Sequence, residues 1–169
     1  MEKDAYDRYM TAFADHMRQV DELAQVVLKG HLLIESALDN ILTLITFNPQ
    51  HLESARLSFH QKMNVARAIC LRKDGYRIWE VIASVNALRN AIAHDLDGKS
   101  RVKKMEHLRQ LYKLESEGAE KKDVRDMPDH YVALMACGMS VGYLAEFEAD
   151  TKFLRAHIDE LDARLNPQS

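Results

Sequence analysis

The chain has 169 residues, the length of one domain, and its low Pro and Gly content favours helices over strands and excludes a low-complexity protein. A net charge of −3 argues against indiscriminate nucleic-acid binding. Two cysteines without paired spacing exclude a disulfide scaffold and indicate a reducing, cytoplasmic setting. We therefore predict a single all-α domain over 1–169, an up-and-down bundle of five or six helices.

The first two predicted helices cover residues 4–18 and about Asp21 to Phe47. In the first, apolar residues at helical spacing predict an amphipathic helix that covers the bundle. In the second, His31, Glu35 and Asp39 recur at i,i+4 on an otherwise apolar helix, and a carboxylate on such a face requires a partner. These charges also interrupt the longest apolar run, so we predict no membrane segment. Asn48 before Pro49 is predicted to end this helix.

The third predicted helix runs from Phe59 to Leu71. Ser58 suits its N-cap, and Gln61 three residues later would complete a capping box. Asp74 and Gly75 then mark a turn into the next helix.

The central helix is predicted from Arg77 to about Leu96, and its polar face is unusual. Its apolar residues lie at helical spacing, whereas Asn86, Asn90 and His94 are successive i,i+4 neighbours with Arg89 beside them. Solvated helix faces are usually rich in Glu and Lys, so this face is the candidate functional one. The run after His94 predicts a helix end, with Gly98 as a left-handed cap and Ser100 capping the helix that follows.

Helix five is predicted over about Ser100 to Glu117 and is basic. Lysines and arginines crowd its first turns, which makes them candidate RNA-binding residues; an ordinary solvated face is the alternative because Glu106 and Glu115 are interspersed. The candidates are Lys99, Arg101, Lys103 and Lys104. A charged connection over 118–127 follows. Pro128, in the first turn, opens a last helix to about Leu165, whose small residues would allow close approach inside the bundle or between subunits. The core is thus predicted at about 21–117, with a C-terminal helix at about 128–165.

Arg89, Asn90 and His94 form an Arg-polar-x-x-x-His arrangement on a helix. Arg125 and His130 repeat the spacing, but a Pro and a charged loop lie between them, so they lack the helical context that orients both side chains.

The first arrangement resembles the HEPN superfamily of α-helical proteins, whose signature is an Arg, usually followed by a polar residue, and a His four to six residues later. The similarity is closer to the mannitol-repressor-like branch. It rests on these phrases, in the same order and at a similar distance: Ser58-Phe59, Lys62, Ala66, Leu88-Arg89-Asn90 and Ala93-His94. The stretch Gly30 to Glu35 is similar to the acidic helix that faces the motif in many members. The resemblance covers about Leu23 to Leu114 and implies a helical bundle that dimerises about the motif helix and, in many members, cleaves RNA without a metal.

The residues are compatible with that implied chemistry. Arg89 lies about 140° around the helix from His94, so the two flank a groove that suits a phosphodiester rather than one small ion. Cleavage through the 2′-OH requires a base, an acid and a cation near the phosphorane, and a two-fold dimer would supply two His94 and two Arg89 side chains. Asn90 would orient phosphate or imidazole, and Glu35, with Asn86 in support, would orient Arg89 or His94. We expect no metal and no cofactor, because His31 and Glu35 have no second pair.

Two functions remain open at this point. The first is an endoribonuclease of toxin or defence type, with RNA, a second copy and an antitoxin or regulatory protein as partners. The alternative is a non-catalytic regulator or adaptor resembling the mannitol operon repressor, in which Arg89 and Asn90 bond helix ends and carboxylates such as Glu35 for stability. The best-known toxins of the superfamily carry a Tyr two residues after the His; here Leu96 occupies that position, which puts their style of neutralisation in doubt.

Overall fold

The computed structural model describes residues 8–11, 21–72, 77–94, 98–116 and 123–167, and within these ranges the structure is helical without strands. The helices are α1 (Glu22–Ile45), α2 (Pro49–Ser54), α3 (Phe59–Ile69), α4 (Ile78–His94), α5 (Lys99–Glu115), a 3₁₀ helix (Val124–Asp126) and α6 (Asp129–Leu165). Residues 8–11 form a further turn of helix. The predicted all-α bundle is confirmed, with seven α-helical segments in the described residues, slightly more than the predicted five or six.

The ends of the helices follow local capping signals. The Asp21 side chain accepts a hydrogen bond from the Ala24 amide at 2.9 Å and caps α1. Ser58 and Gln61 form both hydrogen bonds of a capping box at the start of α3, which confirms that prediction. Both helices end two residues before their predicted ends, at Ile45 and Ile69.

The starts of α5 and α6 also differ from the sequence prediction. Gly98 has the predicted left-handed backbone, with φ 73°, but its carbonyl accepts from the Val102 amide, so α5 starts at Lys99. Ser100 therefore lies in the first turn and is not the cap. Pro128 is the N-cap of α6 rather than part of its first turn.

Helix α2 was not predicted. Pro49 does follow the end of α1, but it also starts this helix, because its fixed φ suits the first helical position. Several predicted features lie outside the described residues. They are most of the helix over 4–18, the turn at Asp74 and Gly75, the predicted end of the central helix at Leu96, the predicted end of helix five at Glu117, and residues 118–122 of the charged connection.

The core is organised around α1 and α6, which run side by side in the same direction. At one end Glu22 lies 3.4 Å from His130, and at the other the carbonyl of Thr46 accepts from Arg155 at 3.2 Å. Midway, a Cβ on Gly30 would lie 2.3 Å from Sγ of Cys137, so the close approach requires glycine.

Helix α4 packs on both of these helices and runs antiparallel to them. His31 bonds Asn86, whereas Trp79, earlier in α4, packs on Tyr143, further along α6. The fully buried interior includes Ile34, Leu38, Ile82, Leu88, Leu108 and Leu144.

Among the described helices, α6 has the length and apolar composition to cross a membrane. Part of its apolar surface packs inside the bundle, where Val132, Ala136, Leu144 and Phe147 are buried, whereas Leu134, Phe153, Leu161 and Leu165 are exposed.

Candidate functional site

Helix α4 carries the predicted polar face at the surface of the bundle. Its opposite side is buried through Val85 and Leu88, which fixes the rotation of the helix. Arg89 is half-buried, and Asn90 and His94 are exposed. The helical context assumed for these residues is therefore present.

Arg89 has a neutral partner. Its Nη1 donates to Oδ1 of Asn90 at 3.2 Å. Among the described residues, no carboxylate lies within 4.0 Å of this guanidinium, whereas the guanidinium groups of Arg72, Arg101 and Arg155 each contact at least one. Within the part of the chain that the structure describes, the positive charge of this face is thus not neutralised by an acidic side chain.

Asn86 connects this face to a buried imidazole. Its Oδ1 lies 3.0 Å from Nε2 of His31, which is 5% exposed and stacks on Phe59 with 4.4 Å between ring centroids. Burial lowers the pKa of His31, and the positive charges of Arg89 and Lys62 lower it further, although Asn86 and Glu35 act in the opposite sense. His31 is therefore a neutral imidazole at neutral pH, and its Nε2–H donates to Asn86.

Glu35 does not have the partner that the sequence suggested. Its Oε1 accepts from Nζ of Lys62 at 3.0 Å, and the same ammonium contacts Oδ2 of Asp39 at 2.8 Å. Lys62 projects from α3 between the two carboxylates, and within the described structure no hydrogen bond joins Glu35 to Arg89 or His94. The expectation that Glu35 orients either residue is thus corrected: it binds Lys62.

Lys62 is the member of this cluster that sequence reasoning underestimated. Burial alone would lower its pKa, but hydrogen bonds and charge attraction from Asp39 and Glu35 outweigh burial and raise it. Lys62 therefore stays charged and joins α3 to α1. The signal that could have identified it was the pair of carboxylates on α1 that lacked a partner.

The basic segment divides into exposed and paired residues. Lys99, Lys103 and Lys104 are exposed. Arg101 is half-buried and contacts both carboxylate oxygens of Asp21, with Nη2 2.7 Å from Oδ1. Its guanidinium lowers the pKa of Asp21 and ties the start of α5 to the start of α1. Arg101 is thus engaged within the chain, which leaves the three lysines facing solvent.

The described residues contain no group of three or more His, Cys, Asp or Glu side chains arranged to hold a metal ion. A cavity of about 360 Å³ lies between α1, α2 and α3, lined by Leu42, Leu52, Arg56 and the Asp39–Lys62 pair. Neither Arg89 nor His94 lines it, so it is separate from the α4 face.

Comparison with protein families, with curated proteins and with solved structures found no match to this chain. The function is therefore argued from the site itself. The structure joins Arg89 to Asn90 directly, Asn86 to the buried His31, and Glu35 to Lys62.

Proposed function

We propose that this protein is a metal-independent endoribonuclease of HEPN type, a toxin or defence effector, that cleaves RNA in a cleft between two copies. The observation that supports this most is the half-buried guanidinium of Arg89, which has no carboxylate partner among the described residues and shares helix α4 with the exposed His94. A positive charge and an accessible imidazole on the same helix are groups that phosphoryl transfer can use.

The proposed reaction is transesterification by the RNA itself. The 2′-oxygen loses its proton to one imidazole and attacks the adjacent phosphorus, while the bond from phosphorus to the 5′-oxygen breaks and that oxygen takes a proton from a second imidazole. The products are a 2′,3′-cyclic phosphate and a 5′-hydroxyl. One chain contributes one His94 to the face, so the second imidazole comes from His94 of the second copy.

Arg89 and Asn90 act on the phosphate in this proposal. The guanidinium stabilises the negative charge that grows on the phosphorane, and the hydrogen bond to Oδ1 of Asn90 holds it in place. The exposed Lys99, Lys103 and Lys104 follow His94 in the chain and supply phosphate contacts beyond the scissile bond.

The test is cleavage of a mixed RNA pool in EDTA by the wild type and by Arg89→Ala, Asn90→Ala and His94→Ala. Among the described residues, the hydrogen-bond partner of Arg89 is a neutral amide, and His94 is exposed, so these variants should stay folded, which circular dichroism checks. We expect wild-type cleavage with 2′,3′-cyclic ends and losses of about 100-fold or more in Arg89→Ala and His94→Ala.

The matched controls are Arg125→Ala and His130→Ala, which repeat the spacing outside α4. They should cleave like the wild type. An inert wild type, or an Arg89→Ala variant as active as the wild type, would overturn the nuclease proposal.

The second candidate is a non-catalytic regulator or adaptor whose α4 face binds a protein or a nucleotide. It is supported by Asn86, which belongs to the same face yet bonds the buried His31, so part of the face serves packing. This function predicts that the wild type leaves RNA intact but binds fluorescently labelled ATP, and that Arg89→Ala weakens that binding. No binding of the probe by the wild type would count against the nucleotide form.

A further inference from the structure

Helix α6 carries one heptad stripe along its whole length. Residues recur at alternating spacings of four and three, the a and d spacing of a coiled coil. The first part of the stripe is buried in the bundle: Ala133, Cys137, Ser140, Leu144, Phe147 and Thr151. The same spacing then continues through Leu154, Ile158, Leu161 and Leu165.

The second part of the stripe becomes progressively more exposed to solvent. Leu154 and Ile158 are half-buried, and Leu161 and Leu165 are 56% and 77% exposed. The reason is the length of α1, which ends at Ile45, where Arg155 already contacts the carbonyl of Thr46. Residues 153–165 therefore extend past α1 by about 20 Å.

One occupant of this stripe is disfavoured by the chain itself. An anionic lipid surface would need a basic polar side. The polar side here carries two basic and three acidic residues, namely Arg155, Asp159, Glu160, Asp162 and Arg164.

We propose that residues 153–165 pair with the same segment of a second copy as a short antiparallel coiled coil. In this pairing Leu154 packs on the partner's Leu165, and Ile158 packs on the partner's Leu161. Arg155 and Asp162 both occupy e positions, and antiparallel helices bring e next to e, so the partner's Asp162 would lie beside a guanidinium that already contacts Asp159 and the carbonyl of Thr46 in its own chain. The contact between Arg155 of one copy and Asp162 of the other would form twice, because each copy supplies one arginine and one aspartate.

The bundle itself disfavours the parallel arrangement. In a parallel pair, the partner's α6 would continue along this helix past Leu154 to Thr151 and Phe147 and would occupy the space that α1 fills. In an antiparallel pair, the partner's α6 ends beside Leu154, where α1 also ends. The partner's helix would then bury the part of the stripe that α1 leaves exposed.

The first test is molar mass by sedimentation velocity for the wild type, Leu161→Glu and the matched control Ala163→Glu. Residue 163 lies on the opposite side of the same exposed turn, and Leu161 is exposed enough that its variant should fold. At roughly 100 µM protein we expect the mass of the wild type and of Ala163→Glu to be twice that of Leu161→Glu. Equal masses for all three would overturn the proposal.

The second test is disulfide trapping under mild oxidation, which reports orientation. Leu154→Cys combined with Leu165→Cys should give a covalent dimer, because positions 154 and 165 of one helix are about 16 Å apart and cannot bond each other. The wild type controls for Cys70 and for Cys137, whose pKa burial raises to about 11. Leu165→Cys alone should stay uncrosslinked. A dimer from that single variant, or none from the double variant, would overturn the antiparallel arrangement.

This inference stands apart from the proposed RNA site, which uses α4. Mass and crosslinking report on α6, whereas RNA cleavage reports on Arg89 and His94. If both contacts form as perpendicular two-fold axes of a closed four-chain assembly, Leu161→Glu halves the mass of that assembly.

Discussion

Lys62 and Glu35 join α3 to α1 through a contact of 3.0 Å between Nζ and Oε1. The Lys62 side chain is 16% exposed, and its ammonium also contacts Asp39, so a single cation serves two carboxylates that lie one turn apart on α1. The contact explains why an otherwise apolar helix carries acidic residues: they fix the position of α3.

We expect Lys62→Met to lower the free energy of unfolding by about 1–2 kcal/mol, because two partly buried carboxylates lose their cation. Lys152→Met is the control: the Lys152 side chain is 61% exposed in an i,i+4 pair with Glu148, and its loss should change stability by less than about 0.5 kcal/mol. Urea unfolding at neutral pH measures both. A loss in Lys62→Met no larger than in Lys152→Met would contradict the bridging role.

The contribution of Lys62 should also depend on pH. Its folded pKa is raised above the ordinary value of 10.5, so its stabilisation is complete below 10.5 and is lost as pH rises through the folded pKa. The difference in urea midpoint between the wild type and Lys62→Met should therefore narrow above pH 10.5. A constant difference would show that packing of the side chain, rather than its charge, is responsible.

His31 should make the fold sensitive to acid. Its folded pKa is lowered from 6.5, so the unfolded chain binds more protons, and stability that is complete above 6.5 falls as pH decreases through 6.5 toward the folded pKa. Urea midpoints at pH 7.5 and 5.0 should differ less for His31→Gln, which does not titrate, than for the wild type. His157→Gln, an exposed control, should behave like the wild type.

Gly30→Ala should destabilise the contact between α1 and α6. The new Cβ would meet Sγ and Cβ of Cys137 at 2.3 and 2.8 Å, and we expect a loss of about 1–3 kcal/mol. Gly138→Ala, where a Cβ meets nothing within 4 Å, should instead raise stability by about 0.5–1 kcal/mol. Adding Cys137→Ala to Gly30→Ala should restore part of the lost stability, which thermal unfolding of the variants measures. If the double variant is no more stable than Gly30→Ala, the contact with Cys137 is not the cause of the loss.

Ser58→Ala should remove the capping box of α3 and lower stability by about 1 kcal/mol. Ser54→Ala, which removes an exposed bond to the carbonyl of His51, should change stability by less than about 0.5 kcal/mol. Chemical denaturation compares the two serines directly. Equal effects would mean that the box contributes little beyond an ordinary surface hydrogen bond.

The features that sequence predicted well are local ones. The Ser58 and Gln61 capping box, the left-handed Gly98 and the buried stripe of α4 each depend on residues within a few positions of one another. The start of α2 was missed because Pro49 can both follow one helix and open the next.

The partners in the site could not be predicted in the same way. Glu35 and Lys62 are 27 positions apart, and Asp21 and Arg101 are 80 apart. Helical periodicity places each of these residues on a face, but it does not say which faces meet. The sequence therefore indicated that a carboxylate on α1 needs a partner, yet assigned Glu35 to Arg89 or His94 instead of Lys62.

The parallel contact of α1 with α6 has a consequence for synthesis on the ribosome. Gly30 and Cys137 meet across more than 100 residues of chain, so α1 emerges long before the helix that covers it is translated. Until α6 is made, Val27, Ile34 and Ile41 lack that cover, and a chain stopped before Asp129 would expose them. Such long-range closure slows folding, and the nascent chain would depend on chaperones during that interval.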